Sequence, residues 1–224
     1  LWGCCDEADP KVMEMQIEEA VKHGVNVFIY DWYWYDRRPF LEQCLDEGFL
    51  GASNNEKMKF YIMWANHDAN YTWDYRNSDA MDTVVWRGEV TDKQFDKIGD
   101  RWIEKYFGLD CYYRIDGKPV FMIYELEHLL RGLGGPENTR RKLLEFKQKC
   151  VDAGLGGLHL QLTQWGERVL NLSGVDGGQK PDSEIAPYLG FNSLSNYQFV
   201  HFIDIDRDYS EIMKEVPAYW EKWT

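Results

Sequence analysis

Five short runs rich in apolar, β-branched and aromatic residues recur along the chain, at residues 25–36 (VNVFIYDWYWYD), 59–64 (KFYIMW), 120–124 (VFMIY), 158–162 (LHLQL) and 193–199 (SLSNYQF), with helical patterns between them. Runs of this kind read as strands, the first as one buried on both faces. Strands joined through helices lie parallel, because each crossover must bring the chain back to the same end of the sheet. Two architectures obey that rule, an open doubly wound sheet and a (β/α)8 barrel. No G-x-G-x-x-G follows any strand, and Gly132 to Gly135 lies beyond its strand end and holds no lysine for a phosphate. The nucleotide-binding doubly wound sheet therefore loses its main support. Polar and aromatic residues stand at nearly every strand end, which suits the barrel, where sites collect on the carboxyl rim. The expected fold is α/β, a partial (β/α)8 barrel with about five parallel strands and their helices. A barrel needs eight strands, so residues 1–224 are expected to form a single incomplete barrel domain that continues beyond both ends.

The intervening patterns carry their own punctuation. Asp9 as N-cap with Pro10 behind it opens a helix whose stripe is Met13, Ile17, Ala20 and Val21, and Gly24 closes it. Residues 39–50 read as a short helix. Thr91 with Gln94 three residues on is a capping box, starting a helix with Phe95, Ile98, Trp102 and Tyr106 on one face. A helix with Leu143, Phe146, Cys150 and Val151 on its inner face runs to about residue 153. A last helix begins near residue 208, with Pro217 kinking or ending it. The polar and aromatic stretch 69–90, with Tyr71, Trp73, Tyr75 and Trp86, is too long for an ordinary βα connection and is a candidate functional loop. The stretch 166–182 is a glycine-rich loop.

Charge and composition exclude several partners. The formal net charge is −13 over 224 residues, which argues against nucleic acid or an anionic membrane surface. The longest apolar runs fall short of a membrane span. Cys4, Cys5, Cys44, Cys111 and Cys150 form no C-x-x-C pair and no Cys/His cluster at zinc spacing, so no metal and no cofactor is expected. Residue 1 is leucine and no signal peptide is visible; localisation and oligomeric state are not legible. Aromatic residues make up 16% of the chain, with ten tryptophans, so the rings need an explanation.

Their placement supplies two. The first strand ends in Asp31, Trp32, Tyr33, Trp34, Tyr35 and Asp36. This is either a core strand with a wide aromatic plug or a sugar site, because the C–H face of a pyranose stacks on Trp or Tyr while carboxylates accept its hydroxyl protons. The later strand ends repeat the pattern: Trp64 with Asn66 and His67, Gln164 with Trp165, and Asn196 with Tyr197. The repetition favours a carbohydrate surface formed by Asp31, Trp34, Tyr35, Trp64, Asn66, His67, Gln164, Trp165 and Tyr197. His159, in mid-strand, reads as core. Glu125 and Glu127, two apart at a strand end, are the candidate catalytic carboxylates, since glycosidases work with such pairs. The other reading is a pair of glutamates favouring the next helix N-terminus.

The phrases LWGCCDEADP, VNVFIYDWYWYD with RRPFLEQCLDEGFL, KFYIMWANHD and YYRIDGKPVFMIYE resemble WbsX-type proteins, which are similar to glycoside hydrolase family 99, the endo-α-mannosidase group. The resemblance implies a (β/α)8 barrel that acts on glycans. It also implies catalytic glutamates in a late Glu-Trp-x-Glu phrase, which this sequence does not contain, and it places His67 where many WbsX-type proteins have Glu. No family catalytic residue therefore transfers to a position here. Three functions follow as expectations: a glycosidic-bond hydrolase, a glycosyltransferase of polysaccharide biosynthesis, or a barrel that binds glycan without turnover. A transferase using a sugar nucleotide would need a phosphate cradle or a metal-binding Asp-x-Asp, and Asp204-Ile205-Asp206 is the Asp-x-Asp that follows an apolar stretch.

Overall fold

The structure is a computed structural model that describes residues 3–71, 76, 82–165, 169–171 and 179–223, with the main chain alone at 169–171, 179–183 and 222–223. Helix α1 (Pro10–Lys22) starts where Asp9 accepts the Lys11 N–H at 2.8 Å, and it buries Met13 and Ile17. Gly24, at φ +80°, turns the chain toward strand β1 (Val27–Tyr35). Strand β2 (Lys59–Trp64) is followed by helix α2 (Asp92–Trp102), where the Thr91 N–H donates to Gln94 Oε1 at 3.0 Å as the capping box requires. Strand β3 (Lys118–Ile123) leads into helices α3 (Leu126–Gly132) and α4 (Pro136–Asp152). Strand β4 (His159–Gln164), helix α5 (Asp182–Leu189), strand β5 (Ser193–Asn196) and helix α6 (Tyr209–Trp223) complete the order.

The five strands pair in parallel in the order of the chain, β1 with β2, β2 with β3, β3 with β4 and β4 with β5. A doubly wound sheet reverses direction at one point; this one never does. Right-handed crossovers that always step the same way put their helices on one face and leave the other as the inside of an arc. Among the described residues β1 and β5 do not pair with each other, so the arc is open. The fold is a partial (β/α) barrel.

Three expectations change. Residues 39–50 do not form one helix. Asp36 and Arg37 sit in the left-handed region, at φ 49° and 62°, and make a tight turn that pairs Tyr33–Tyr35 antiparallel with Arg38–Phe40. A turn with two positive φ values matches the twist of its strands, and Phe40 packs edge-on to Tyr33 and Tyr35 across it. Helical structure is confined to the π-helical segment Cys44–Phe49. Strand β1 is not buried on both faces either. Ile29 is 50% exposed, because β1 is the edge of the parallel arc and Ile29 pairs only with Tyr61. Finally, α6 does not end at Pro217 but continues to Trp223. The proline ring costs one main-chain bond, while Ile212 and Val216 before it, buried with Ile203, and Tyr219 after it, packed on the same cluster, hold the helix on both sides.

The long stretch 69–90 holds a short ribbon, Ala69–Asn70 against Val84–Trp86; Trp73 and Tyr75 lie outside the described residues. In the glycine-rich stretch, Val169–Asn171 pairs with Gln179–Pro181, and 166–168 and 172–178 lie outside the described residues.

Much of the aromatic content belongs to the layer between sheet and helices. Trp102 of α2 meets Trp32 at 5.0 Å, Trp64 at 5.7 Å and Phe121 at 4.2 Å between ring centroids. Beside this layer Glu42 gathers donors: Trp32 Nε1 at 2.8 Å, Arg101 Nη2 at 2.6 Å and the Tyr106 hydroxyl at 3.1 Å.

Candidate functional site

Strand register defines the concave face. Asp31 pairs with Met63, Met63 with Met122, Met122 with Gln161 and Gln161 with Ser193. Paired residues project to the same side of a sheet, so these five form one row. Side-chain contacts agree: Thr163 Oγ1 lies 3.7 Å from Met63 Sδ, and the Tyr61 hydroxyl donates to Gln161 Oε1 at 3.1 Å. His159 belongs to this face and meets Ser193 Oγ at 2.8 Å. It is a half-buried residue in a polar contact rather than a core one.

Toward the carboxyl ends of the strands the face becomes aromatic. Tyr33 meets His67 at 6.0 Å, and His67 meets Tyr124 at 5.5 Å. Tyr124 stands edge-on to Trp165 at 4.5 Å and to Tyr197 at 5.1 Å. The Trp165 indole N–H donates to the Tyr124 carbonyl at 3.1 Å, which fixes the ring. A continuous chain of rings thus crosses the arc from β1 to the segment after β5.

Asp31 is the charge within this chain. The Tyr33 hydroxyl hydrogen-bonds it. Asp31 is reached by solvent from the concave side, yet the crowding rings desolvate it and raise its pKa, against the opposing influence of His67 and the Tyr33 hydrogen bond. The Tyr33 phenol is pushed up to about 12 by burial first and then by the Asp31 charge. Tyr124 and Tyr197 are raised by burial and by the same carboxylate. Tyr33 spends its proton on Asp31, the Tyr124 and Tyr197 phenols offer donors, the carboxylate offers an acceptor for hydroxyl groups, and the neighbouring rings offer apolar faces.

Of the residues expected from the sequence, Asp31, His67, Trp165 and Tyr197 are brought together here. Tyr35 forms the wall beside them: it is buried, its hydroxyl donates to the His67 carbonyl at 2.9 Å, and its ring stacks on Trp86 at 5.8 Å. Four others are corrected. Trp34 and Trp64 are only 4% and 1% exposed and project from β1 and β2 toward the helices, one position out of phase with Asp31 and Met63. Gln164 is buried and out of phase with Thr163 in the same way. Asn66 is 1% exposed and its amide is spent on the main chain of Glu125, accepting from N at 2.7 Å and donating to O at 2.7 Å.

The glutamate pair does not sit on one strand. β3 ends at Ile123, Glu125 is the N-cap of α3 and accepts the Glu127 N–H at 3.3 Å, and Glu127 lies in the first turn, 3.7 Å from Arg131. This is the helix-start arrangement, and the two-residue strand spacing does not apply. Asp204 and Asp206 are exposed; the Asp206 N–H donates to Asp204 Oδ1 at 3.0 Å within a turn.

Two site residues escaped the sequence reading: Tyr33 and Tyr124, which were legible by strand alternation, two positions beyond Asp31 and Met122. Outside the chain of rings, His128 Nε2 lies 3.4 Å from Asp68 Oδ1, which also accepts the Gly88 N–H at 2.7 Å. Among the described residues no group of three or more His, Cys, Asp or Glu side chains is placed to hold a metal ion, and no helix is long and apolar enough to cross a membrane.

A singly wound parallel arc with an acidic, aromatic carboxyl rim defines a protein of the (β/α)-barrel class. The chain belongs to the family described as glycosyltransferase WbsX, which matches residues 3–214. No curated protein matches it. Among solved structures it is similar to a GH99 endo-alpha-mannosidase from Bacteroides thetaiotaomicron, with 14% identity, a TM-score of 0.47, and coverage of 87% of this chain and 45% of that one. It is also similar to a glycoside hydrolase-like protein, with 13% identity, a TM-score of 0.47, and coverage of 99% and 57%. The chain spans about half the length of these structures.

Proposed function

We propose that this chain forms the glycan-binding carboxyl rim of a carbohydrate-active enzyme that acts on glycosidic bonds. The observation that carries the reading is the chain of rings from Tyr33 through His67, Tyr124 and Trp165 to Tyr197, closed around Asp31. Family membership supports it, as does the similarity of WbsX-type proteins to a hydrolase group. In this reading the sugar stacks on Trp165 and Tyr197, its hydroxyls donate to Asp31 and to the Tyr33 oxygen, whose own proton is held by Asp31, and the Tyr124 phenol donates to its oxygens. Glu125 and Glu127 remain at the edge of the rim, and the catalytic pair of the resembling hydrolases has no counterpart phrase in these residues.

Hydrolysis is the first reading of the chemistry, and transfer is the second, favoured by the family's description. An oligosaccharide panel that includes α-linked manno-oligosaccharides separates them. Release of free sugar supports hydrolysis. Transfer from a sugar nucleotide with Mn2+, lost in Asp204→Asn and Asp206→Asn variants, supports the second. Failure of the panel to bind at all contradicts both.

A further inference from the structure

The hairpin that presents Tyr33 to the concave face turns Trp34 to its other side. There a separate cavity of about 590 Å³ opens between the hairpin and α2. Trp34 lines it, with Lys97 Nζ 5.3 Å from the ring centroid, and the buried Trp34 indole N–H has no hydrogen-bond partner. Arg37 and Arg38 line it from the turn, Lys93 and Lys97 from α2.

The charges of this cavity do not cancel. Of the acids around it, Asp96 is held by Lys142 at 2.7 Å and Asp100 by Lys149 at 2.6 Å, while Arg101 is held by Glu42 at 2.6 Å. That leaves Glu104 against four cations, none of which forms an ion pair with a described carboxylate. In a chain of net charge −13, cations without partners gathered from two elements around one cavity are an anion-attracting site rather than one solvated helix face. Guanidinium groups meet oxyanions through paired hydrogen bonds.

We propose that this cavity binds an oxyanion, a phosphate or a carboxylate, carried by a small molecule. The site is distinct from the concave face and does not rest on the glycan reading. The test is calorimetric titration of the chain at low ionic strength with inorganic pyrophosphate and, separately, with digalacturonate. Saturable binding of at least one is expected, and the tighter of the two names the source of the oxyanion. An Arg38→Gln, Lys97→Gln double variant with an unchanged circular dichroism spectrum should lose about tenfold or more in affinity, the scale of charge-assisted contacts. Lys93→Gln alone should weaken binding in the same direction and serves if the double variant does not fold. Lys214→Gln, on α6, should change nothing. No binding of either probe, full affinity in the pocket variants, or an equal loss in Lys214→Gln would overturn the proposal.

Discussion

Asn66 grips the main chain of Glu125 with both ends of its amide, Nδ2 to the carbonyl and Oδ1 to the N–H, each at 2.7 Å. The clamp joins the end of β2 to the start of α3 and so sets the spacing of two neighbouring rim segments, those that carry His67 and Tyr124. Asn66→Ala removes the acceptor of the Glu125 N–H and one of the two donors to its carbonyl, the other being the Leu129 N–H at 3.3 Å. It is expected to cost about 1–3 kcal/mol of stability. Urea unfolding should show a lower midpoint with an unchanged slope. Unaltered stability with a loss of ligand affinity would return Asn66 to the binding surface.

Trp64 makes the opposite case to Trp165. It packs between Trp102 and Phe95, at 5.7 and 6.0 Å, on the helix side of the sheet. Trp64→Ala is expected to destabilise the fold by about 3–5 kcal/mol, the range for truncating a buried aromatic. The milder Trp64→Phe should keep whatever ligand affinity the wild type has. Thermal unfolding of both variants checks the first expectation, and ligand titration of Trp64→Phe the second.

How far the sequence carried these conclusions depended on period. The parallel α/β arc was legible because apolar runs and helical stripes alternate, and Asp9, Thr91 and Gly24 punctuate them as expected. The aromatic run of β1 was legible as chemistry but not as two faces. Residues 31 and 33 go to the concave side and 32 and 34 to the helices, and only strand alternation with register separates site from core. Asn66 and Glu125 look like site residues because they follow strands. Their side chains were recruited by main-chain groups that a sequence does not display. The turn at Asp36 and Arg37 escaped because neither is glycine, although aspartate tolerates the left-handed region.

Asp31 carries a pH signature. Its folded pKa is raised above the ordinary value of 3.8, chiefly by desolvation. The folded state therefore holds the proton more tightly than the unfolded chain does. Stability falls as pH rises from the ordinary value through the raised one, and it stays lowered above that. Asp31→Asn should be more stable than the wild type at neutral pH, and the advantage should vanish as pH falls below 3.8. Unfolding midpoints measured across that pH range check the sign. A variant less stable than the wild type at neutral pH would contradict it.

Glu42 has the reverse sign. Burial works against its charge, but the hydrogen bonds of Arg101 and Trp32, with the nearby Arg101 and Lys105 cations, outweigh it and hold the carboxyl below its ordinary 4.5. Its contribution is present above 4.5 and is lost as pH falls through the lowered value. Glu42→Gln should cost about 1.5–3 kcal/mol at neutral pH, the scale of hydrogen bonds to a charged group. The difference from wild type should shrink in acid. A loss that does not depend on pH would mean that Glu42 acts through packing alone.

The central claim is that ligand sits on the concave rim, and comparative titration of rim and core variants tests it most directly. The oligosaccharide panel is titrated into the wild type and into Trp165→Ala, Tyr197→Ala, Asp31→Asn and Trp64→Phe, each first shown to be folded. A stacked ring is worth roughly 0.5–1.5 kcal/mol beyond its area, so Trp165→Ala and Tyr197→Ala should each lose several-fold in affinity. Asp31→Asn should lose at least as much, and Trp64→Phe should match the wild type. Retained affinity in the three rim variants, or a loss confined to Trp64→Phe, would contradict the account.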